Sequence, residues 1–166
     1  TLVNYVKREV FSSELALTID FHSGFGIKDR FWYPYAKTKR QFPRIREVQV
    51  LKDLLDDTLP HHIYSIEPQS YSYTTHGDLW DFLFDEHQKK GSNNIFIPWT
   101  LEMGSWNWVR KNPKQLFNLL GLFNPIIEHR YDRTMRRHKA LIDFLFSATR
   151  NKSWLNGQLY CFDGQS

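Results

Sequence analysis

The segment LALTIDFHSGFG, residues 15–26, is the strongest indication of the fold class. The run from Leu15 to Phe21 is apolar on both alternating faces, apart from Thr18 and Asp20. A short run of this kind is typical of a central parallel strand that is buried on both sides. The run ends in His-Ser-Gly-Phe-Gly, a clear loop signal. We therefore expect a central strand with Leu17 and Ile19 in the core, followed by a loop from His22.

A second strand is predicted at IFIPWTLEM, residues 95–103. Pro98 cannot donate to a ladder, which favours an edge, a bulge or a strand end at that point. A short strand is expected around Ile63 to Ile66. Helical spacing predicts helices at residues 2–10, 43–60, 78–90, 113–120 and 132–149, with 27–42 irregular and 67–76 a surface loop. The last helix should bury Leu141, Phe144, Leu145 and Ala148. This alternation predicts an α/β domain, with a mostly parallel or mixed sheet flanked by helices.

Composition limits the class of protein. The 166 residues suit one domain, which we place at 1–152 with an irregular tail at 153–166. The single cysteine, Cys161, excludes an internal disulfide. No apolar run approaches the roughly 18 residues needed to span a membrane, and no signal peptide is visible. We expect a cytoplasmic protein whose native N-terminus lies upstream of Thr1. The net charge of +4 is modest, and the basic run Arg130 to Lys139 is typical of a solvated helix face.

Two ionisable residues lie at predicted strand ends. In open α/β sheets, ligands bind beyond the carboxyl ends of the strands, where His22 and Glu102 are expected. A neutral imidazole is a plausible metal ligand there, although a strand-end histidine is more often structural. A carboxylate that ends an apolar strand is partly desolvated, which raises its pKa toward use as a general base. Pairing of Glu102 with an arginine is the alternative.

Three segments together resemble the C-terminal half of the carboxypeptidase A family of zinc carboxypeptidases. ALTIDFHSG, residues 16–24, is similar to the strand that delivers a zinc-binding histidine followed by serine. SYTTHGDLWDF, residues 72–82, is similar to the mobile tyrosine loop, with Tyr73, Gly77, Asp81 and Phe82 in the matching places. IPWTLEMG, residues 97–104, resembles the strand that carries the catalytic glutamate. The order and approximate spacing agree over residues 1–149.

The resemblance implies a hydrolase that cleaves a C-terminal peptide bond with zinc-activated water. It makes His22 a zinc ligand, Glu102 the general base, and Tyr73 and Ser23 substrate-binding residues. Asp20 lies on the same strand face as His22, either supporting it or in a structural hydrogen bond. Arg30 is either a substitute substrate-binding arginine or, as the safer interpretation, part of a surface ion pair.

The chain also departs from the family pattern. The family's His-x-x-Glu ligand pair is missing, since no histidine here has a glutamate three residues later. The nearest match, His129-x-x-Asp132, is interpreted as a helix N-terminal feature. His61 and His62 are adjacent and would point to opposite faces, and His87 and His138 are predicted on exposed helix faces. The family's substrate-binding arginines are absent too. We therefore expect the other zinc ligands outside this chain, and no activity from the chain alone.

Three alternatives stay open. An aspartoacylase-like or desuccinylase-like amidohydrolase would use a similar metal site on acyl-amino acids. A degenerate, non-catalytic domain would bind peptides with its aromatic loop. RFWYPYAKTKR, residues 30–40, faintly allows single-stranded nucleic-acid binding. We expect a peptide or acyl-amino-acid substrate and no nucleic-acid or membrane partner, with His22, Tyr73 and Glu102 converging on one cleft. The sequence does not determine the oligomeric state.

Overall fold

A four-stranded sheet with helices on both faces forms the fold. The computed structural model describes residues 1–91 and 93–156. The strands are β1 (Leu15–Ser23), β2 (Arg30–Tyr33), β3 (Ser65–Pro68) and β4 (Ile95–Met103), in the spatial order β1-β4-β2-β3. β1 is parallel to β4 and β2 to β3, whereas β2 is antiparallel to β4. The predicted α/β class with a mixed sheet is confirmed.

The described residues form five α-helices that pack around the sheet. They are α1 (Leu2–Glu9), α2 (Ile45–Thr58), α3 (Leu79–Lys89), α4 (Trp106–Lys111) and α5 (Glu128–Arg150). Short 3₁₀ helices occupy Gln69–Tyr71, Pro113–Phe117 and Lys152–Asn156. Among the described residues, no helix is both long enough and apolar enough to cross a bilayer.

We call one face of the sheet the α5 face. It carries every second residue of the two long strands: Leu15, Leu17, Ile19 and Phe21 of β1, and Ile95, Ile97, Trp99 and Leu101 of β4. Leu17 and Ile19 lie against Leu145 of α5. The predicted stripe of α5 is confirmed as buried: Leu141, Phe144, Leu145 and Ala148. α2 packs beside α5 and buries Val48, Leu51 and Leu55. This face holds much of the hydrophobic core.

The opposite face, which we call the α3 face, changes character along the strands. At the amino end of β4, Phe96 packs against Phe11 and against His87 of α3. At the carboxyl end the same face presents polar residues, among them His22 and Glu102. The sheet therefore places a polar patch at one end of an otherwise packed face.

β1 lies at the edge of the sheet formed by the described residues, which corrects its predicted central position. Leu17 and Ile19 are only half-buried. β4 is the central strand instead, and seven of its nine residues are buried. Pro98 sits inside β4 because β2 is short and pairs only with residues 100–102, so the missing N–H costs no bond to β2.

Several predicted boundaries were wrong. β2 lies within the segment 27–42 that was predicted to be irregular, and α4 was not predicted. The helix predicted at 113–120 is a 3₁₀ helix that ends at Phe117, and α5 begins at Glu128 rather than Asp132. The tail predicted as irregular from 153 starts with part of a 3₁₀ helix, in which buried Trp154 donates its indole N–H to the Ala148 carbonyl. The rest of that tail, with Cys161, lies outside the described residues.

Candidate active site

The parallel pairing of β1 and β4 places His22 directly beside Glu102. Both residues lie on the α3 face, at the carboxyl ends of their strands. The Nδ1 atom of His22 is 3.9 Å from Oε2 of Glu102, too far for a direct hydrogen bond. The two side chains are therefore neighbours without a direct hydrogen bond. Their convergence with Tyr73 on one cleft stays a prediction.

Glu102 is a buried carboxyl group, with the residue only 4% exposed. Its Oε1 accepts a hydrogen bond from the Phe25 backbone N–H at 3.3 Å. Burial raises the pKa of Glu102, and the charges of His22 and Arg30 together with the Phe25 N–H partly oppose that rise. A carboxylate with a raised pKa accepts a proton more readily, which is the property of a general base.

His22 is open to solvent, with its side chain 51% exposed. Its Nε2 lies 3.1 Å from Oδ2 of Asp20. The same oxygen accepts a hydrogen bond from the Trp80 indole N–H at 2.9 Å. In the neutral imidazole tautomer that carries its proton on Nε2, the lone pair is on Nδ1, the atom that faces Glu102. The negative charge of Asp20, held by Trp80, lies close to Nε2 and favours that tautomer.

The loop after β1 is tied to the segment after β4. Ser105 accepts a hydrogen bond from the Gly24 N–H at 2.9 Å, and the Trp106 indole donates to the Gly24 carbonyl at 2.9 Å. Gly24 has φ of +117°, a backbone conformation that L side chains rarely adopt. A Cβ on Gly104 would lie 2.6 Å from the Lys28 backbone nitrogen, so this close approach also requires glycine. These ties fix the backbone that delivers the Phe25 N–H to Glu102.

Tyr73 is separated from the His22–Glu102 pair by the side chain of Phe25. Its ring meets Phe25 edge-on with centroids 5.8 Å apart, and Trp32 edge-on at 5.7 Å. The phenol oxygen accepts a hydrogen bond from the Gln69 side chain at 3.4 Å, and Tyr73 is exposed. Tyr73 therefore borders the same region through Phe25, the residue whose N–H reaches Glu102.

Ser23 lies differently from what the resemblance implied, whereas Arg30 forms the expected ion pair in a less exposed position. Ser23 follows His22 directly in β1, so strand alternation directs its side chain to the α5 face, away from the pair. Arg30 is half-buried rather than on the surface, with its Nε 3.5 Å from Oε1 of Glu67 and its guanidinium over the Phe25 ring. It also stands opposite Glu102 in the β2–β4 register.

The donors present do not fit a zinc ion by themselves. Among the described residues, no group of three or more histidine, cysteine, aspartate or glutamate side chains is arranged to hold a metal. The two nitrogens of His22 face separate carboxylates, so the three groups do not converge on one point. The expectation that further ligands lie outside this chain stays a prediction.

The predictions for two other histidines were wrong. His87 and His138 are not on exposed helix faces but are 1% and 2% exposed. His138 accepts or donates a 3.0 Å hydrogen bond with the Tyr64 hydroxyl. Both residues lie far from His22 along the chain. Because their side chains are buried, we interpret them as structural residues.

Sequence reasoning missed three residues that organise the site. Trp80 holds Asp20, Ser105 holds the Gly24 loop, and buried Asp29 accepts the Gly104 N–H at 2.9 Å. These partners are separated from one another by 60 to 81 positions along the chain. The only local signal was that Ser105 follows the glutamate strand and Asp29 follows the glycine loop, which does not reveal a contact.

Comparison with protein-family models, with curated proteins and with solved structures gave no significant match.

Proposed function

We propose that this chain carries the general-base part of an amide-bond hydrolase of the zinc carboxypeptidase type, in a carboxypeptidase-like half domain. The observation that carries the proposal is the His22–Glu102 pair. An open imidazole and a buried carboxylate lie side by side at the carboxyl ends of two parallel strands, where α/β enzymes place their chemistry. The raised pKa of Glu102 and the unpaired Nδ1 of His22 give the two groups different tasks.

Glu102 is the residue that moves a proton. A water molecule bound beside the pair can donate a hydrogen bond to the Glu102 carboxylate, which takes the proton as the oxygen attacks an amide carbonyl. Glu102 then returns the proton to the nitrogen of the leaving amine. Burial favours both steps because it brings the carboxylate's pKa closer to neutrality.

His22 supplies a ring nitrogen and does not itself take up or release a proton in these steps. Asp20 lies beside its Nε2, so a proton on that nitrogen leaves the Nδ1 lone pair facing Glu102. This arrangement suits a metal ligand, and a zinc site there requires ligands beyond those that the described residues supply. Zinc thus remains part of the proposal rather than of the observed geometry.

The substrate we propose is a peptide with a free C-terminus, and Tyr73 is the residue placed to contact it. Its exposed ring stands beside Phe25 at the border of the site. The role predicted for Ser23 has no support from its position on the α5 face. An acyl-amino acid is the alternative substrate, since the same proton transfer cleaves its amide.

Nucleic-acid binding by residues 30–40 is not supported by the geometry. Phe31 and Trp32, the aromatic residues that would stack on bases, are each 1% exposed inside β2.

The test is hydrolysis by the full-length polypeptide that contains this chain. Release of the C-terminal residue from a peptide set, and of the acyl group from N-acyl amino acids, is followed by mass spectrometry with and without a chelator. Glu102→Gln should lower turnover by about 10²- to 10⁴-fold or more while the zinc content is unchanged. The control Glu86→Gln, on α3 and paired with Lys7 and Lys89, should keep full activity.

His22→Ala separates the second role, because it should lose zinc as well as activity. Full activity in Glu102→Gln would overturn the proposal. Absence of hydrolysis by the full-length protein, with peptides bound, would instead establish the non-catalytic alternative.

A further inference from the structure

The segment 113–126, which we call the apolar loop, exposes an unusual number of large apolar side chains. Phe117 is 93% and Leu119 is 92% exposed. Further exposed apolar residues in and beside the loop are Trp106, Leu116, Leu120, Leu122, Phe123 and Ile126. Single exposed apolar residues are normal on protein surfaces, but a contiguous set of this kind marks an interaction surface.

The apolar loop is folded around a polar residue. Gln115 is fully buried, and its side-chain amide donates to the carbonyls of Gly121 at 2.8 Å and Asn124 at 3.5 Å. The Gln115 carbonyl oxygen would lie only 1.9 Å from a Cβ on Gly121, so the two ends of the loop are in close contact. The loop therefore places its glutamine inside and Phe117 and Leu119 outside, the reverse of ordinary burial.

The charges on the apolar loop itself and on α4, which precedes it, have one sign. No aspartate or glutamate occurs from residue 103 to 127, whereas Arg110, Lys111 and Lys114 are all present and exposed. Within the part of the chain that the structure describes, none of these three cations takes part in an ion pair. Apolar and aromatic side chains flanked by unpaired cations are typical of segments that lie in the interface of an anionic bilayer.

We propose that the apolar loop binds the surface of an anionic lipid membrane. Phe117, Leu119 and their apolar neighbours enter the boundary between headgroups and acyl chains, while Lys111 and Lys114 contact the lipid phosphates. A second copy of this chain fits less well. A two-fold contact would bring the same cations of both copies together, where like charges repel.

This inference differs from the expectation of no membrane partner, which rested on the lack of an apolar run long enough to span a bilayer. Binding at the surface needs no such run. The apolar loop also borders the candidate active site, because the Phe123 ring lies 2.9 Å from where a Cβ on Gly24 would be. Membrane binding would place the His22–Glu102 pair near the lipid surface. The proposed membrane binding does not depend on the proposed hydrolysis.

Vesicle flotation tests the proposal. The chain is mixed with vesicles of phosphatidylcholine, alone or with roughly one third phosphatidylglycerol, and should float with the anionic vesicles and be released by high salt. Phe117→Ser combined with Leu119→Ser should weaken the partitioning about 10- to 100-fold. Tyr71→Ser combined with Phe146→Ser, at residues 71% and 62% exposed elsewhere, is the matched control and should bind like the wild type.

The charge contribution is tested by Lys111→Gln combined with Lys114→Gln. This variant should lose about 30-fold in binding to anionic vesicles, with no change for neutral ones. All variants should keep the wild-type unfolding midpoint, because the replaced side chains are exposed. Failure of the wild-type chain to float would overturn the proposal. Loss of a dimer in the Phe117→Ser, Leu119→Ser variant, without vesicle binding by the wild type, would assign the loop to self-association instead.

Discussion

Leu101 and Glu102 are neighbours in β4, yet they lie in opposite environments. Leu101 is fully buried on the α5 face, behind the stack of Phe31 and Trp99. Glu102 is nearly as buried on the α3 face, but it faces the open side chain of His22. One step along a strand thus separates a residue that stabilises the sheet from one that costs stability and supplies chemistry. Burial of apolar side chains on the α5 face therefore offsets the cost of burying the Glu102 carboxyl group on the α3 face.

The largest effect should come from the α5 face. Leu101→Ala removes a fully buried side chain from the central strand, and the cavity cannot be filled easily by the surrounding aromatic residues. We expect a loss of about 2–5 kcal/mol in the free energy of unfolding, measured by urea denaturation. A loss below about 1 kcal/mol would mean that β4 is not packed as described.

The same substitution on β1 should distinguish an edge strand from a central strand. Leu17 also lies on the α5 face but is only half-buried. Leu17→Ala should therefore cost about 1–2 kcal/mol, less than Leu101→Ala, in the same denaturation experiment. Equal losses for the two variants would contradict the edge position of β1 and restore the central position predicted from sequence.

Much of the candidate site was predictable because it depends on local pattern. The apolar runs that form β1 and β4 are long, and each ends in a titratable residue. Parallel strands bring such ends to one edge of a sheet, so element type predicted that His22 and Glu102 lie at the same edge. Their direct pairing depends on the adjacency of β1 and β4, which element type does not give. Tyr73 could be assigned to the border of the site only through its motif.

The remainder depended on contacts between distant segments. β2 has four residues, too few for a clear period, and its burial comes from lying between β4 and β3. The order of strands determines which one is central, and no pattern within β1 reveals it. His87 was placed on an exposed face because its helix neighbours are polar, whereas its position is set by Phe11 and Phe96 from other elements.

His87 tests the amino end of the α3 face, where a titratable group lies in apolar surroundings. Among the described residues, neither of its ring nitrogens has a hydrogen-bond partner. Burial, followed by the charges of Arg44 and Lys90, lowers the pKa of His87 below its ordinary value of 6.5. The folded state therefore keeps the ring neutral, while the unfolded chain takes up a proton at higher pH. The stability is present above about pH 6.5 and is lost as the pH falls through the folded pKa.

His87→Leu should reduce this loss. The variant should be within about 1.5 kcal/mol of the wild type at neutral pH and should lose less stability on acidification, as measured by urea denaturation across the pH range. His76→Leu, at an exposed position, is the control and should leave the acid-induced loss unchanged. An identical pH profile for His87→Leu and the wild type would show that protonation of His87 does not contribute.

Glu102 should give the smallest change in stability and the opposite pH dependence. Burial raises its pKa above the ordinary value of 4.5, so the folded state holds this proton more tightly than the unfolded chain. The stability linked to this proton is complete below about pH 4.5 and is lost as the pH rises through the folded pKa.

Glu102→Gln removes the ionisation while keeping an acceptor oxygen for the Phe25 N–H. The variant should therefore match the wild type in acid and exceed it at pH 7 by about 1 kcal/mol or less, measured by urea denaturation. Replacing a surface carboxyl in Glu86→Gln should not produce that gain. A Glu102→Gln protein that is less stable than the wild type at pH 7 would make Glu102 a structural anchor, with its attraction to His22 and Arg30 outweighing its burial. A gain in stability together with lost turnover would mean that this carboxylate is retained for chemistry at a cost to the fold.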